Sequence, residues 1–226
     1  MKLGVLCSGG KDSLFACWRA MQHEEVACLI TVVSQNVESY MFHTPNIRLA
    51  ALQAEAAGLP LVEVETAGEE EAELDDLARA IRNAADRHGI EGVVSGAILS
   101  VYQAARIQRI CRELDLWCFN PLWHTDQEAY MEELLAAGFG VLVSGVFSEP
   151  FDESWLGRVI DRAAIDELRT FARTHRISLT GEGGELETFV FDAPFFSRRI
   201  DVVEAATHYK NFHGKYLITD ARLVEK

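Results

Sequence analysis

The sequence predicts an α/β protein in two unequal parts, a parallel-sheet domain followed by a smaller α+β domain. Three observations predict this. Short β-rich runs alternate with helical periods through the first half, the pattern of a mostly parallel sheet covered by helices. From about Pro121 the rhythm changes, and the chain becomes glycine-rich and then strand-rich toward its end. With 226 residues, 49% of them hydrophobic, the chain can fill one large core or two small ones.

The elements follow in order. Lys2 to Cys7 reads as a buried strand, and Leu14, Trp18 and Met21 line one face of the helix after it. Val26 to Ser34 is a second strand, Asn46 to Ala57 a helix, and Leu61 to Glu65 a third strand after Pro60. Glu69 to His88 carries Leu74, Leu77, Ile81, Ala84 and His88 at helical spacing. Its acidic start suits the positive end of the helix dipole, so those carboxylates read as a solvated helix start and not as a metal site. Gly92 to Gly96 is a fourth strand, Ser100 to Leu114 a helix and Trp117 to Phe119 a short fifth strand. Beyond them come a helix at Ala129 to Ala137, a strand at Gly140 to Val146, an irregular stretch at Ser148 to Arg158 and a helix at Ala164 to Thr174. The boundary falls between residues 120 and 130, which divides the chain into 1–125 and 126–226. No Pro/Ser linker marks it, so the two parts are expected to pack closely and share a cleft.

Composition narrows the function. A formal charge of −14 argues against a main grip on nucleic acid, because counterion release needs a basic surface. No apolar run of about 18 residues is present, and the N-terminus enters folded sequence directly, so a cytoplasmic protein with no membrane partner is expected. Cys7, Cys17, Cys28, Cys111 and Cys118 form no CxxC pair and sit in apolar surroundings. They read as reduced, buried thiols. Trp117, Trp123 and most phenylalanines read as core.

The strongest local signal is Ser8-Gly9-Gly10-Lys11-Asp12-Ser13, directly after the first strand and opening the first helix. Two glycines let the backbone approach an anion, and the free N–H groups of the helix start point at it. Ser8 and Ser13 offer hydroxyl donors and Lys11 a positive charge. Asp12 would repel a bare phosphate but suits one bridged by Mg²⁺. The spacing differs from GxxxxGK[ST]. A second cluster, Gly96 and Ala97 within Ser95-Gly96-Ala97-Ile98, ends the fourth strand, where an α/β sheet presents its ligand crevice. Tyr102, Gln103 and Arg106 follow on the next helix. Gly96 is expected to admit a base or ribose, and Arg106 to meet phosphate bidentately.

SGGKDS in this setting resembles the pyrophosphate loop of the nucleotide alpha hydrolases, a HUP or Rossmann-like group that includes GMP synthetase, asparagine synthetase, NAD synthetase and tRNA sulfur transferases. The resemblance implies ATP as substrate, Mg²⁺ with it, and attack of a substrate oxygen on the α-phosphate. It makes Lys11, Asp12 and Ser13 the catalytic set and residues 1–125 the nucleotide-binding domain.

Three further segments narrow the family: Glu38-Ser39-Tyr40-Met41-Phe42-His43 with Pro45-Asn46, Asp152 to Arg158 (DESWLGR), and Gly181 to Thr188 (GEGGELET) with Asp192-Ala193-Pro194. Together with the loop they resemble the diphthine–ammonia ligase family, from about Leu3 to Phe196. One departure is Leu186, where the family usually has an aromatic residue. The resemblance implies adenylation of the carboxylate of diphthine on elongation factor 2, attack by ammonia, and release of diphthamide, AMP and pyrophosphate. Residues 126–226 then form the substrate domain. Glu182, Glu185 and Glu187 are costly together unless they face a cation or water. They are expected to recognise the trimethylammonium group or the incoming ammonium, with Trp155 or Tyr40 as an aromatic face. His43, Arg158 and Thr188 complete the expected substrate contacts, and Glu187 joins the catalytic set.

The alternatives are a relative that adenylates another carboxylate or a tRNA base, and a nucleotide sensor without turnover. Cys7 beside the loop suggests sulfur transfer, but no second spaced cysteine supports it. The short length without fused C-terminal domains is expected of an archaeal-type enzyme. Assembly state is left open, a homodimer included.

Overall fold

The computed structural model describes residues 1–35, 45–68 and 72–226. It divides into two compact units, Met1–His124 and Thr125–Lys226. The first contains β1 (Lys2–Leu6), α1 (Lys11–Met21), β2 (Glu25–Ser34), α2 (Ala50–Ala57), β3 (Leu61–Thr66), α3 (Ala72–His88), β4 (Gly92–Val94), α4 (Val101–Glu113) and β5 (Trp117–Phe119). Its five strands form one parallel sheet in the order β3-β2-β1-β4-β5. Connections run outward from β1 in one direction and from β4 in the other. The gap between those two strands is therefore the switch point, where open α/β sheets bind ligands beyond their carboxyl ends.

The sequence dictates this layering. β2 is apolar nearly throughout and buried along almost its whole length, as befits a strand covered on both faces. β3 alternates, with Val62, Val64 and Thr66 inside and Glu63 and Glu65 outside. α3 and α4 set Leu77, Ile81, Ile107 and Ile110 on Cys28, Ile30, Val32, Val62, Val64 and Val93. Each such side chain contributes about 1.5–3 kcal/mol on full burial. Ser100 caps α4 by accepting from the Gln103 N–H, which stabilises the helix by about 1 kcal/mol.

Several details depart from expectation. α1 is buried nearly all round, at Lys11, Ser13, Leu14, Phe15, Ala16, Cys17 and Ala20, whereas Trp18 and Met21 are only half-buried. The helix expected from Asn46 begins with a 3-10 turn, Ile47–Leu49, because Asn46 takes a left-handed φ of 69°. Trp117 is 67% exposed and Trp123 also reaches solvent. β5 is a three-residue edge strand whose alternation turns Trp117 outward, and Trp123 follows it, exposed, in the segment before the second unit, so neither tryptophan is core. Residues 69–71, part of the expected acidic helix start, lie outside the described residues.

The second unit contains α5 (Gln127–Ala136), β6 (Gly140–Val146), α6 (Arg162–His175), β7 (Leu186–Asp192), β8 (Arg199–Lys210) and β9 (His213–Val224). Its four strands form an antiparallel sheet in the order β7-β6-β9-β8. β6 is one of the two inner strands and is almost wholly buried. The β8–β9 hairpin closes through Asn211 and Phe212, both at positive φ, as a two-residue turn between twisted strands requires. Asp126 and Asp161 cap α5 and α6 by accepting from the backbone N–H three residues on. No helix among the described residues is long and apolar enough to cross a membrane.

Candidate active site

In the first unit the loop between β1 and α1 lies at the carboxyl end of β1, beside the switch point. Ser13 Oγ accepts from the Ser8 N–H and the Ser8 hydroxyl at 3.2 Å each and donates to the Gly10 carbonyl at 3.1 Å, drawing the two ends of the loop together. The Gly10 N–H reaches Ser8 Oγ at 3.4 Å. Gly9 sits at φ +79°, a conformation that side chains with a Cβ rarely adopt. α1 starts at Lys11 with no side chain capping its first turn, which leaves the helix start to serve an anion. Lys11 is only 1% exposed, and its Nζ lies 2.9 and 3.0 Å from the two Asp12 carboxylate oxygens. The expected catalytic lysine and metal-binding aspartate are thus a pair held at the mouth of the loop.

Two supports were not legible as site residues. Gln53 of α2 is fully buried and donates from Nε2 to the Gly9 carbonyl at 2.9 Å, while its Oε1 lies 3.0 Å from where a Cβ on Gly9 would be. The available signal was a lone amide on the buried face of the alanine-rich helix AALQAEAA. Asn120 accepts from the Ser95 hydroxyl at 2.5 Å at the carboxyl end of β4. The Ala97 N–H also points at Ser95 Oγ, at 3.4 Å.

A Cβ on Gly96 would come within 2.7 Å of Asp12 C and Ser13 N, so its bareness lets the loop after β4 pack against the start of α1. Gln103 is exposed on α4. The Arg106 guanidinium lies 3.4 Å from the centroid of the Tyr102 ring, and its buried Nε has no hydrogen-bond partner. A triphosphate fits this set: an uncapped helix start, a glycine turn, and a guanidinium nitrogen lacking an acceptor.

Cys7 precedes the loop. Burial pushes its thiol up to about 11, against the lowering effect of hydrogen bonds from Gly9 and Ser13. A thiolate for sulfur transfer is therefore disfavoured. Cys17, Cys28 and Cys111 are likewise buried, but Cys118 is only half-buried.

In the second unit, Glu187 stands inside β7 and Glu185 immediately before it. Glu185 Oε1 accepts from the Ser178 N–H at 3.0 Å, whereas Glu185 Oε2 is buried without a partner. Glu187 Oε2 is also buried without a partner, and burial raises this carboxyl to about 7 against the opposing pull of Lys215. A cation is therefore adjacent after all, supplied from β9. Ser144 Oγ and Ser148 Oγ, on and just after β6, are two more buried oxygens without partners. Glu182 is half-buried in the glycine turn, and Thr188 is buried within β7.

The expected aromatic face at Trp155 is overturned. Trp155 is 1% exposed, packed edge-on against Phe151 and tilted against Phe171, with the Arg158 guanidinium 4.3 Å from its ring centroid. Arg158 also donates to Glu167 at 2.6 Å. The DESWLGR segment thus anchors the irregular stretch to α6. Leu186 is buried too, so its position supplies packing and no stacking surface. Tyr40 and His43 lie outside the described residues.

Comparison with known proteins adds a direct assignment. Residues 1–117 match the N-terminal domain of diphthamide synthase, and residues 126–224 match its C-terminal domain. A diphthine–ammonia ligase from Bos taurus is 31% identical over 233 residues, covering 92% of this chain and 86% of that protein. The Mus musculus diphthine–ammonia ligase is 32% identical with the same coverage. A solved structure from Methanocaldococcus jannaschii, described as a predicted subunit of tRNA methyltransferase, covers 85% of this chain and 97% of its own. Its TM-score is 0.43 at 17% identity, too distant to inform function. With both units matched and relatives alike over nine-tenths of its length, the chain belongs to the diphthine–ammonia ligase family.

Proposed function

We propose that this protein is an ATP-dependent amide-forming ligase that converts diphthine on elongation factor 2 to diphthamide with ammonia, releasing AMP and pyrophosphate. The observation that carries the reading is the SGGKDS loop at the switch point of the first unit, in a chain whose two units both match the ligase family.

Carboxylate oxide is a poor leaving group, and transfer of AMP to it makes a good one. The chain's part is positioning and charge stabilisation at phosphorus. Ser8, Gly9, Gly10 and the start of α1 would cradle the β- and γ-phosphates, with Ser13 bracing the turn. Lys11 would neutralise charge developing on the departing pyrophosphate, while Asp12 holds its ammonium in place. Arg106 and Gln103 would approach the nucleotide from α4. Mg²⁺ would arrive with the triphosphate, held by Asp12 and phosphate oxygens, and it supplies further charge neutralisation. Among the described residues no group of three or more His, Cys, Asp or Glu side chains could hold a metal by itself.

In the second unit, Glu182, Glu185 and Glu187 are assigned to the cationic parts of the reaction, with Tyr40, His43 and Thr188 as further substrate contacts. We place the enzyme in the cytoplasm, and light scattering of the purified protein decides between a monomer and a homodimer.

The test is turnover by purified protein with diphthine-bearing elongation factor 2, ATP, ammonium and Mg²⁺. AMP and pyrophosphate are followed together with the mass of the modified histidine peptide. Conversion of acid to amide, one per AMP, supports the ligase. AMP formed only with another carboxylate or with tRNA would replace the substrate, and nucleotide binding without AMP would make the chain a sensor.

A further inference from the structure

One row of residues crosses the sheet of the second unit in register: Glu187 on β7, Gly145 on β6, Lys215 on β9 and His208 on β8. Partners in register share a face of the sheet. Gly145 has no side chain to separate its neighbours. A Cβ built there would stand 3.3 Å from Glu187 Oε2 and 2.7 Å from the Phe147 ring, so the carboxylate and the ring both lie over the glycine. β6 is bulged at this point, with Ser144 as the extra residue between the Val143–Thr188 and Gly145–Glu187 pairs.

The polar atoms here want donors. Glu187 Oε2, Glu185 Oε2, Ser144 Oγ and Ser148 Oγ are all buried and without hydrogen-bond partners, and all lie along one end of β6 and β7. Such atoms are rare in native proteins, and a bound ligand or a catalytic role is among the reasons they persist. A quaternary trimethylammonium has no N–H and would leave the two carboxylate oxygens, which can only accept, without a donor. Ammonium carries four N–H donors and a positive charge. The chemistry therefore selects between the two cations of the reaction proposed above, on which this inference rests.

We infer that the Glu187 carboxylate, seated over Gly145 with Lys215 across the row, binds ammonium and takes a proton from it to deliver ammonia. Ammonium passes one proton to Glu187 Oε2, and the freed lone pair forms the C–N bond at the adenylated acyl carbon. The C–O bond to AMP breaks, its electron pair leaves on AMP, and the surplus proton on the new amide nitrogen goes to water. Glu187 returns its own proton to solvent before the next turnover. A base matched to this task titrates near neutrality, and burial with a lysine in opposition places this carboxyl there. The other titratable groups on that face by strand register are Glu185 on its own chain segment, Lys215 and His213 on β9, and His208 and Lys210 on β8, while β6 contributes Gly145 there, followed by Phe147.

The experiment compares two nucleophiles on full-length enzyme with diphthine-bearing elongation factor 2. Ammonium must lose a proton before it attacks, whereas hydroxylamine is already uncharged at neutral pH. Glu187→Gln is expected to lose ~10²-fold or more of ammonium-dependent amidation. Its ATP–pyrophosphate exchange and hydroxamate formation should fall far less than its ammonium-dependent amidation, and their persistence shows that the variant folds. Lys215→Met removes the charge that holds the carboxyl down, so the acid limb of its ammonium pH–rate profile should move to higher pH. Equal loss with both nucleophiles, or no loss with ammonium, overturns the inference while leaving the ligase assignment intact. A wild-type enzyme without diphthine-dependent pyrophosphate release overturns the ligase assignment and this inference with it.

Discussion

The loop after β1 and the paired ends of β6 and β7 are both polar sites, and they are built on opposite principles. The loop satisfies itself. Ser8, Gly10 and Ser13 bond to one another, Lys11 closes on Asp12, and Gln53 holds the Gly9 carbonyl. The β6–β7 end does the reverse, with four buried oxygens lacking donors within a few residues. A loop that must receive a polyanion with its own geometry unchanged is preorganised through internal bonds. A site that must discriminate a small cation and move a proton keeps its acceptors open and carries the cost in the resting protein.

The largest expected effect tests the preorganised side. Lys11→Met should lower pyrophosphate release with diphthine-bearing elongation factor 2 by ~10²–10³-fold, the range for losing one charge-stabilising donor. Circular dichroism and thermal melting on the same sample separate that loss from unfolding, since Asp12 would also lose the Lys11 ammonium as its ion-pair partner. An effect below about tenfold would mean that Lys11 serves the loop's architecture more than the phosphates.

The open side should show its cost in stability. Glu187 holds its proton more tightly when folded, at about 7, than an ordinary unfolded glutamate does. Its contribution to stability is full below the ordinary carboxyl range and is lost as pH rises through about 7. A gap of two to three units at ~1.4 kcal/mol each makes this roughly 3 kcal/mol. Urea denaturation at pH 5 and pH 8.5 should show wild type losing stability at the higher pH relative to Glu187→Gln. If the two proteins keep a constant difference at both pH values, the carboxyl is not strained and the contrast between the sites collapses.

A smaller effect concerns the brace behind the loop. Gln53→Leu keeps the volume and removes the bond to the Gly9 carbonyl, leaving a buried acceptor unmet at about 1–3 kcal/mol. The expected result is a KM for ATP raised about tenfold with a smaller change in kcat, measured by initial rates. A change in kcat alone would place Gln53 in the chemistry and not in the loop's shape.

These residues also mark how far the sequence could be read. The parallel sheet, its helices and the phosphate loop were legible because a glycine turn after an apolar strand has few other physical uses, and period alone separates covered strands from amphipathic helices. The supports were not. Gln53 is 44 residues from Gly9, and only folding brings its amide there. The contact of Gly96 with Asp12 and Ser13 is not legible either, because a missing side chain does not say what fills the space. Trp155 was misread for a related reason: an aromatic in a motif can be a surface or an anchor, and its packing on Phe151 and Phe171 decides. Glu187 was noticed as a carboxylate needing a cation. Lys215 and Gly145, which set its environment, are joined to it only by strand register.

The smallest expected effect sharpens the contrast at its chemical limit. Cys7 adjoins the loop and invites a covalent or sulfur-transfer role. Its backbone is already fully used, the N–H bonding to Ile30 and the carbonyl accepting from Thr31 Oγ1 at 2.9 Å. Its thiol is held at about 11 by burial, so at neutral pH only about one part in 10⁴ is thiolate, the reactive form. Cys7→Ala removes one buried sulfur and the weak hydrogen bonds it receives from Gly9 and Ser13, and leaves the Ser8–Ser13–Gly10 bonds that close the loop. Amidation and pyrophosphate release should therefore stay within about twofold of wild type, and thiol-directed alkylation of the native enzyme should not target this residue. A large loss of turnover in Cys7→Ala with the fold intact would mean that the loop depends on this sulfur directly, and that its internal hydrogen bonds do not suffice to hold it ready.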